Sequence, residues 1–288
     1  MQFAVFFQSL IQISDILLGL HTRLSSVSQT PLLDAQVLLG HVLGRTRTWV
    51  LAHPEAYLSS DQEHALSDAL IRLEAGQPLP YVLGHWEFYG LDFIVTPDTL
   101  IPRPETELLV EQALSWSQTR TKRLRVADIG TGSGCIAISL ALDASNAHVM
   151  GCDISLTALQ VAKANANTHR VSGKVDFVQC DLLPPVKVQF DLICANLPYI
   201  PTEALHSLKV YQREPALALD GGEDGLGQIR RLLNEAETML APGGLLLLEI
   251  EASSGAAVHS LARQAFPKAD VQVLPDLAGR DRLISMLT

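Results

Sequence analysis

Four consecutive residues, Asn196-Leu197-Pro198-Tyr199, are of the types needed to handle a flat, unreactive nitrogen. An amide nitrogen is a poor nucleophile because its lone pair is delocalised into the carbonyl. Making it attack requires acceptors that hold its N–H groups and aim the lone pair at an electrophile. The Asn196 side-chain carbonyl offers one acceptor, and the main-chain carbonyl of Leu197 offers a second. Pro198 stiffens the turn that carries both, and Tyr199 can stack on a planar group and exclude water. Positioning of this kind can supply a large share of a rate enhancement. Asn and Pro are also ordinary residues of a strand-terminating turn, so the surroundings must decide.

A second cluster lies upstream. Val126-Ala127-Asp128-Ile129-Gly130-Thr131-Gly132-Ser133-Gly134 reads as a strand, a glycine-rich turn and the start of a helix. Glycines let a backbone turn tightly and approach a ligand closely. The dinucleotide fingerprint G-x-G-x-x-G would need glycine where Cys135 stands. G-x-G-x-G with Asp128 two residues before it suits a ligand lacking pyrophosphate. Asp153 ends the next strand, where a carboxylate can accept both hydroxyls of a ribose. Asp181 ends the third strand and could accept an adenine amino group, with Leu182 beside the ring. Either Asp alone is more often a cap or turn former. Three strand ends in register are much harder to obtain by accident.

The elements that must hold these residues follow from the pattern. From Arg123 onward strands (LRVADI, HVMGCD, VDFVQC, FDLICAN, GLLLLEI, DVQVL, RLISML) alternate with helices over 133–143, 155–169 and 226–240. Such alternation predicts an α/β fold, a doubly wound and mostly parallel seven-stranded sheet. Residues 10–75 carry helical patterns only. One stripe is expected from Leu32, Leu33, Val37, Leu38, Val42 and Leu43. A helix over 60–75 is expected to be capped by Ser59 or Ser60 and stopped at Gly76. Aromatic and β-branched residues around Gly84 and Gly90 predict a hairpin within Gln77–Val95. The expected division is a helical domain over 1–80, a hairpin connector over 81–100 and a catalytic domain over 101–288.

Lys and Arg number 21 against 31 Asp and Glu, a net charge of −10. An acidic chain gains little from the counterion release that drives binding to nucleic-acid backbones, so direct nucleic-acid binding is disfavoured. The apolar start, MQFAVFFQSLIQISDILLGL, lacks a basic n-region and is interrupted by Asp15. It is read as a lead-in and an amphipathic helix, not a signal peptide or membrane span, which predicts a cytoplasmic protein. Cys135, Cys152, Cys180 and Cys194 form no CxxC pair, and no metal is expected.

The glycine turn with Asp153 and Asp181 resembles the class I S-adenosylmethionine-dependent methyltransferases. Asn196-Leu197-Pro198-Tyr199 resembles the N-P-P-Y motif of amino-methyltransferases acting on adenine, guanine or glutamine nitrogen, with Leu197 replacing the first proline. QPLPYVLGHWEFYG, TLIPRPETE, Ile200-Pro201 after the Asn196 motif, REPALALDGGEDGL and DLAGRDR narrow the choice. In that order, and over most of the chain, they resemble the HemK/PrmC release factor glutamine methyltransferases. The resemblance implies S-adenosylmethionine as donor, S-adenosylhomocysteine as product and no metal. It implies methylation of the glutamine in the Gly-Gly-Gln loop of class I release factors, recognised in part by the helical domain; a monomer is the default expectation. Gly130, Thr131, Gly132, Ser133, Gly134 and Asp153, with Asp128, Asp181, Leu182 and Asn196, would then contact the cofactor. Asn196, Leu197, Pro198 and Tyr199 would bind the glutamine and carry the chemistry.

Arg103, Glu105 and Glu107 match the segment IPRPETE, which in the family lies near the cofactor. A direct role stands there beside simple suitability of the two acids for a first helical turn. Glu214-Pro215 and Gly221-Gly222 are expected to shape the loop after the catalytic turn. Around Glu249 the family has Glu-Ile-Gly followed shortly by Gln, whereas this chain has Glu249-Ile250-Glu251 and then Ser253-Ser254. That departure weakens any role for this strand end. The rival activity is methylation of a nucleic-acid amino group.

Overall fold

The computed structural model describes residues 11–288; the first ten residues of the apolar lead-in lie outside it. The chain divides into two compact units, one ending at Gly84 and the other spanning His85–Thr288.

The first unit is helical throughout. It comprises α1 (Ile13–Leu24), α2 (Pro31–Leu43), α3 (Arg47–Ala52), α4 (Ser60–Glu74) and the short α5 (Leu79–Leu83). Ser59 caps α4 in a reciprocal box with Gln62, and the chain leaves the helix through Gly76 at φ 91°. The expected stripe on α2 is corrected: Leu32 and Leu33 are exposed, while Ala35, Gln36, Leu38, Leu39 and Gly40 are buried. Ten of the thirteen residues of α2 are apolar or glycine and Gln36 is buried with them, so polarity marks the buried face only weakly.

The second unit opens with an antiparallel hairpin of β1 (His85–Phe88) and β2 (Leu91–Ile94). The preceding Leu79–Leu83 is helix, so the hairpin is shorter than the aromatic pattern suggested. A 3₁₀ turn at Pro104–Thr106 leads into α6 (Glu107–Gln118). There follow β3 (Leu124–Ile129), α7 (Cys135–Asp143), β4 (Ala147–Asp153), α8 (Leu156–Thr168), β5 (Val175–Gln179) and β6 (Phe190–Ala195). The chain ends with α9 (Thr202–Leu205), α10 (Gly227–Met239), β7 (Leu240–Glu249), α11 (Gly255–Ala265), β8 (Asp270–Pro275) and β9 (Asp281–Leu287).

The seven strands lie in the order β5-β4-β3-β6-β7-β9-β8, and β9 pairs antiparallel with both neighbours. Alternation along each strand sends Val126, Leu192, Cys194, Leu245 and Leu247 into a core shared with α6 and α7. Ala127, Ile129, Ile193, Leu246 and Leu248 face the opposite core, with α10 and α11. The sheet is therefore covered on both faces, as a parallel arrangement requires. Connections from β3 run outward to β4 and β5, and those from β6 to β7, so the order reverses between β3 and β6. A crevice at the carboxyl ends of these two strands is the expected ligand site. Among the described residues, no helix is long and apolar enough to cross a membrane.

Candidate active site

The glycine loop is set by hydrogen bonds to the next strand. Gly130, Gly132 and Gly134 all take positive φ, at 71°, 55° and 82°. The N–H groups of Gly130 and Thr131 both donate to the Cys152 carbonyl at 2.9 Å. A Cβ at Gly130 would make ordinary contacts, 3.4 Å from the Asn196 carbonyl and 3.5 Å from Leu197, so it is the left-handed φ of 71° and not space that favours glycine where the two strand ends meet. Asp153 accepts from the N–H of Gly132 on one oxygen and of Ser155, the N-cap of α8, on the other, each at 2.9 Å. A carboxylate has about four lone-pair sites, so acceptor capacity remains for ligand hydroxyls. Burial raises the Asp153 carboxyl above its ordinary range, against the pull of these backbone donors.

Gly130, Gly132, Cys152, Asp153, Cys180, Asp181 and Leu182 line a cleft of about 1050 Å³, counting its open mouth. Pro97–Leu100, Asn196, Leu197 and Pro198 line it as well. Four of the expected cofactor residues do not line this cleft. Asp128, Thr131, Ser133 and Gly134 are not among the lining residues, and the first three are buried beneath the loop. The Thr131 hydroxyl donates to Asp128 at 2.6 Å and the Ala137 N–H donates to the same oxygen at 3.1 Å. Asp128 thus ties the loop to α7. Desolvation pushes its carboxyl up to about 7, and its second oxygen is buried without a partner. A Cβ at Gly134 would press on Ile138 and Ala162 at 3.0 and 3.1 Å, so this glycine serves helix packing. Asp181 does reach the cleft, where one carboxylate oxygen accepts from Arg231 at 2.7 Å. Leu182 follows it at φ 63°.

The turn after β6 stands where this cleft meets a second one. The second is lined by Leu100, Arg103, Asn196, Leu197, Tyr199, Ile200, Val210, Ala218 and Leu219. Leu100, Asn196, Leu197 and Ala218 line both. Asn196 donates its amide N–H to Thr106 Oγ1 at 3.0 Å, leaving Oδ1 as an acceptor with no donor among the described residues. Nor does any described hydrogen bond take up the Leu197 carbonyl. Burial raises the Tyr199 phenol above its ordinary value, with the nearby Glu249 adding to the effect, so the ring is neutral near pH 7.

The loop downstream clasps this turn. Ile200 N–H donates to Leu219 O at 3.1 Å, and Gly221 N–H donates to Ile200 O at 2.9 Å. A Cβ on Gly221 would stand 2.8 Å from the Pro198 carbonyl, so the two segments touch backbone to backbone. Glu214 is buried; it accepts from Ile101 N–H at 3.1 Å and from Arg103 at 2.5 Å. This pairing anchors Arg103 at the second cleft. Glu107 accepts from Tyr89 N–H at 3.0 Å and so holds the hairpin, whereas Glu105 is exposed.

Sequence reasoning passed over Thr106. It lies inside the quoted IPRPETE segment, yet nothing in linear spacing links it to Asn196 or to Glu249, on which its hydroxyl donates at 2.6 Å.

A release factor glutamine methyltransferase of Moorella thermoacetica is 46% identical to this chain over 256 residues, covering 88% of the chain and 90% of the relative. The chain belongs to the release factor glutamine methyltransferase family. A second member, from Coxiella burnetii, is 37% identical and extends the match to 96% of this chain and 98% of its own length. Residues 16–84 match the family described as PrmC N-terminal domain, and residues 120–272 the family described as Methyltransferase domain. A methyltransferase from Pyrococcus furiosus, 17% identical, shares the fold with a TM-score of 0.51 over 80% of this chain and 98% of that one. In this family member the expected class I methyltransferase fold is present, with the glycine turn and the Asn196 turn on adjacent strands.

Proposed function

We propose that this chain transfers a methyl group from S-adenosylmethionine to the side-chain amide nitrogen of a glutamine in a peptide chain release factor. The observation that carries this reading is the junction of the two clefts at Asn196 and Leu197. One cleft has the features of a nucleoside site: a glycine loop, a carboxylate with spare lone pairs and an apolar shelf at Leu182. The other is lined mostly by apolar residues together with Tyr199, which suits a flat, uncharged side chain.

S-adenosylmethionine supplies an electrophilic methyl on a sulfonium sulfur. Asp153 holds the ribose hydroxyls, and the bare backbone of Gly130 and Gly132 admits the donor close to the turn. Asn196 Oδ1 and the Leu197 carbonyl accept the two N–H groups of the glutamine amide. That fixes its plane and turns the nitrogen lone pair toward the first cleft. Both acceptors also favour the positive charge that grows on nitrogen as the new bond forms. Tyr199 packs on the amide and keeps water out, and its neutral phenol adds no competing charge. The N–CH3 bond would form as the S–CH3 bond breaks, S-adenosylhomocysteine would leave as a neutral thioether, and the nitrogen, acidic only once it is methylated, would give its proton to water, so no strong base is needed beforehand.

The test is transfer of a labelled methyl group to purified class I release factor, to the same factor with its Gly-Gly-Gln glutamine replaced, and to DNA and RNA. Label on the first substrate alone supports the assignment. Label on nucleic acid alone replaces it with the rival activity.

A further inference from the structure

Thr106 occupies an unusual place. It is buried, it sits at the end of the 3₁₀ turn before α6, and its single hydroxyl connects two groups remote in sequence. One is Glu249, at the end of β7 and only 2% exposed. The other is the side-chain amide of Asn196, which donates to the Thr106 oxygen at 3.0 Å. A hydroxyl has one proton to give, and an ionised carboxylate can only accept. While Glu249 is charged, Thr106 must donate to it, at 2.6 Å, and must therefore receive from Asn196. The –NH₂ of Asn196 is then turned to Thr106 and its oxygen away from it, on a residue that lines both clefts.

Resting on the function proposed above, we infer that Thr106 and Glu249 are positioning residues: the Glu249 carboxylate sets the direction of the Glu249–Thr106–Asn196 hydrogen-bond chain and thereby presents Asn196 Oδ1 to the acceptor amide. The identity of the Asn196 atom facing the substrate decides whether chemistry can occur. An oxygen accepts the glutamine N–H, whereas an –NH₂ group would oppose one donor with another. A free asparagine amide exchanges these faces by a half turn about one bond. The relay removes that freedom without touching substrate or cofactor.

Protonating Glu249 releases the constraint. Its acid form can donate to Thr106, Thr106 can then donate to Asn196, and the amide is free to reverse. Burial is the largest influence on this carboxyl and pushes it up to about 7, opposed by the Thr106 hydrogen bond. The other groups acting on it are Arg282 of β9, Arg103 just before the 3₁₀ turn and Glu105 within it, Tyr199 after β6, and Cys135 at the start of α7. The two arginines favour the charged form, while Glu105 opposes it. Turnover at saturating cofactor should therefore have an acid limb set by Glu249: the acceptor amide does not titrate, and Asp128, pushed up to about 7 as well, lies beneath the glycine loop and outside the relay.

The experiment compares wild type, Thr106→Val, Thr106→Ser and Glu249→Gln, assaying methylation of a release factor at saturating cofactor and measuring cofactor affinity by calorimetry. Valine keeps the shape and removes the hydroxyl; it should lower kcat about 10- to 100-fold with unchanged cofactor affinity, by the sensitivity of transfer to misorientation. Serine restores the hydroxyl and should recover most of that loss. Between about pH 5.5 and 8.5, above the ordinary carboxylate range, wild-type kcat should fall on the acid side. Glu249→Gln should be slow and lack this limb. Equal kcat in wild type and Thr106→Val, no recovery by serine, or an acid limb that persists in Glu249→Gln would each overturn the relay. If Thr106→Val does not fold, the serine variant and the two pH profiles still decide. If the wild type transfers to no release factor, the substrate assignment fails by itself. The relay is then read from the Asn196 side-chain amide signals in NMR, which should shift on titrating Glu249 and not in Glu249→Gln.

Discussion

Gly221 supports the catalytic turn through contacts that leave no room for a side chain, and Gly221→Ala measures how tightly that turn must be held. A Cβ there would lie 2.6 Å from the Gly225 carbonyl and 2.8 Å from the Pro198 carbonyl. Both obstacles are backbone, so neither can swing aside. Ordinary Cβ contacts begin near 3.4 Å, which requires openings of about 0.8 and 0.6 Å respectively. Pro198 adjoins Leu197, whose carbonyl is an assigned acceptor, so much of that shift reaches the site. A misplacement of about 1 Å can cost roughly 100-fold in rate, and the expected loss in kcat here is about 10- to 100-fold. Gly222→Ala is the matched control. Gly222 has φ 88°, and nothing lies within 4 Å of the position its Cβ would take. Alanine there meets only left-handed backbone strain, about 1–2 kcal/mol of stability, with kcat unchanged. Steady-state methylation assays with thermal melts on both variants make the comparison. If Gly221→Ala turns over like wild type, or Gly222→Ala loses as much kcat, the tight backing of the turn is not what sets the rate.

Other residues yield separable outcomes. Asp153→Asn places an N–H₂ against at least one of the Gly132 and Ser155 donors and removes a charged acceptor. Cofactor affinity measured by calorimetry should fall about 10- to 100-fold, as for loss of charged hydrogen bonds of roughly 1.5–3 kcal/mol, and unaltered affinity would remove Asp153 from the ribose site. Arg103→Ala strands the buried Glu214 carboxylate; by analogy with broken buried pairs the loss is about 3 kcal/mol, read by urea unfolding, and adding Glu214→Gln should return part of it. Asp128 has a folded-state pKa raised from 3.8 to about 7. The folded state therefore holds this proton more tightly than the unfolded chain does. Its contribution favours folding in acid and is lost as pH rises from about 4 to 7, by up to about 4 kcal/mol. Asp128→Asn should flatten the wild-type stability profile over that window, and parallel profiles would contradict the assignment.

Local chemistry made much of this molecule legible in advance. The strand at 124–129 and the helix capped by Ser59 were set by period and capping signals that act within a few residues. Gly130, Asp153 and Asn196 were readable because each stands at a strand end, where topology alone brings them to one crevice. Strand β7 was expected from Gly244 but begins at Leu240. The strand passes through Pro242 and Gly243 at a register shift against β6. The side chains of Thr131 and Ser133 are buried beneath the loop, and spacing cannot say which side of a turn a side chain takes. The roles of Thr106 and Glu249 were the least visible. They depend on a contact across 143 residues of sequence, and the altered residues after Glu249 pointed attention away from it.

The central claim is tested most directly by a fragment mass spectrum of a class I release factor after incubation with enzyme and S-adenosylmethionine, run beside Asn196→Ala that still binds the cofactor. The expected result is a single added methyl on the side-chain nitrogen of the Gly-Gly-Gln glutamine with the wild type and almost none with the variant. A methyl on any other atom, or an equal yield from Asn196→Ala, would contradict it.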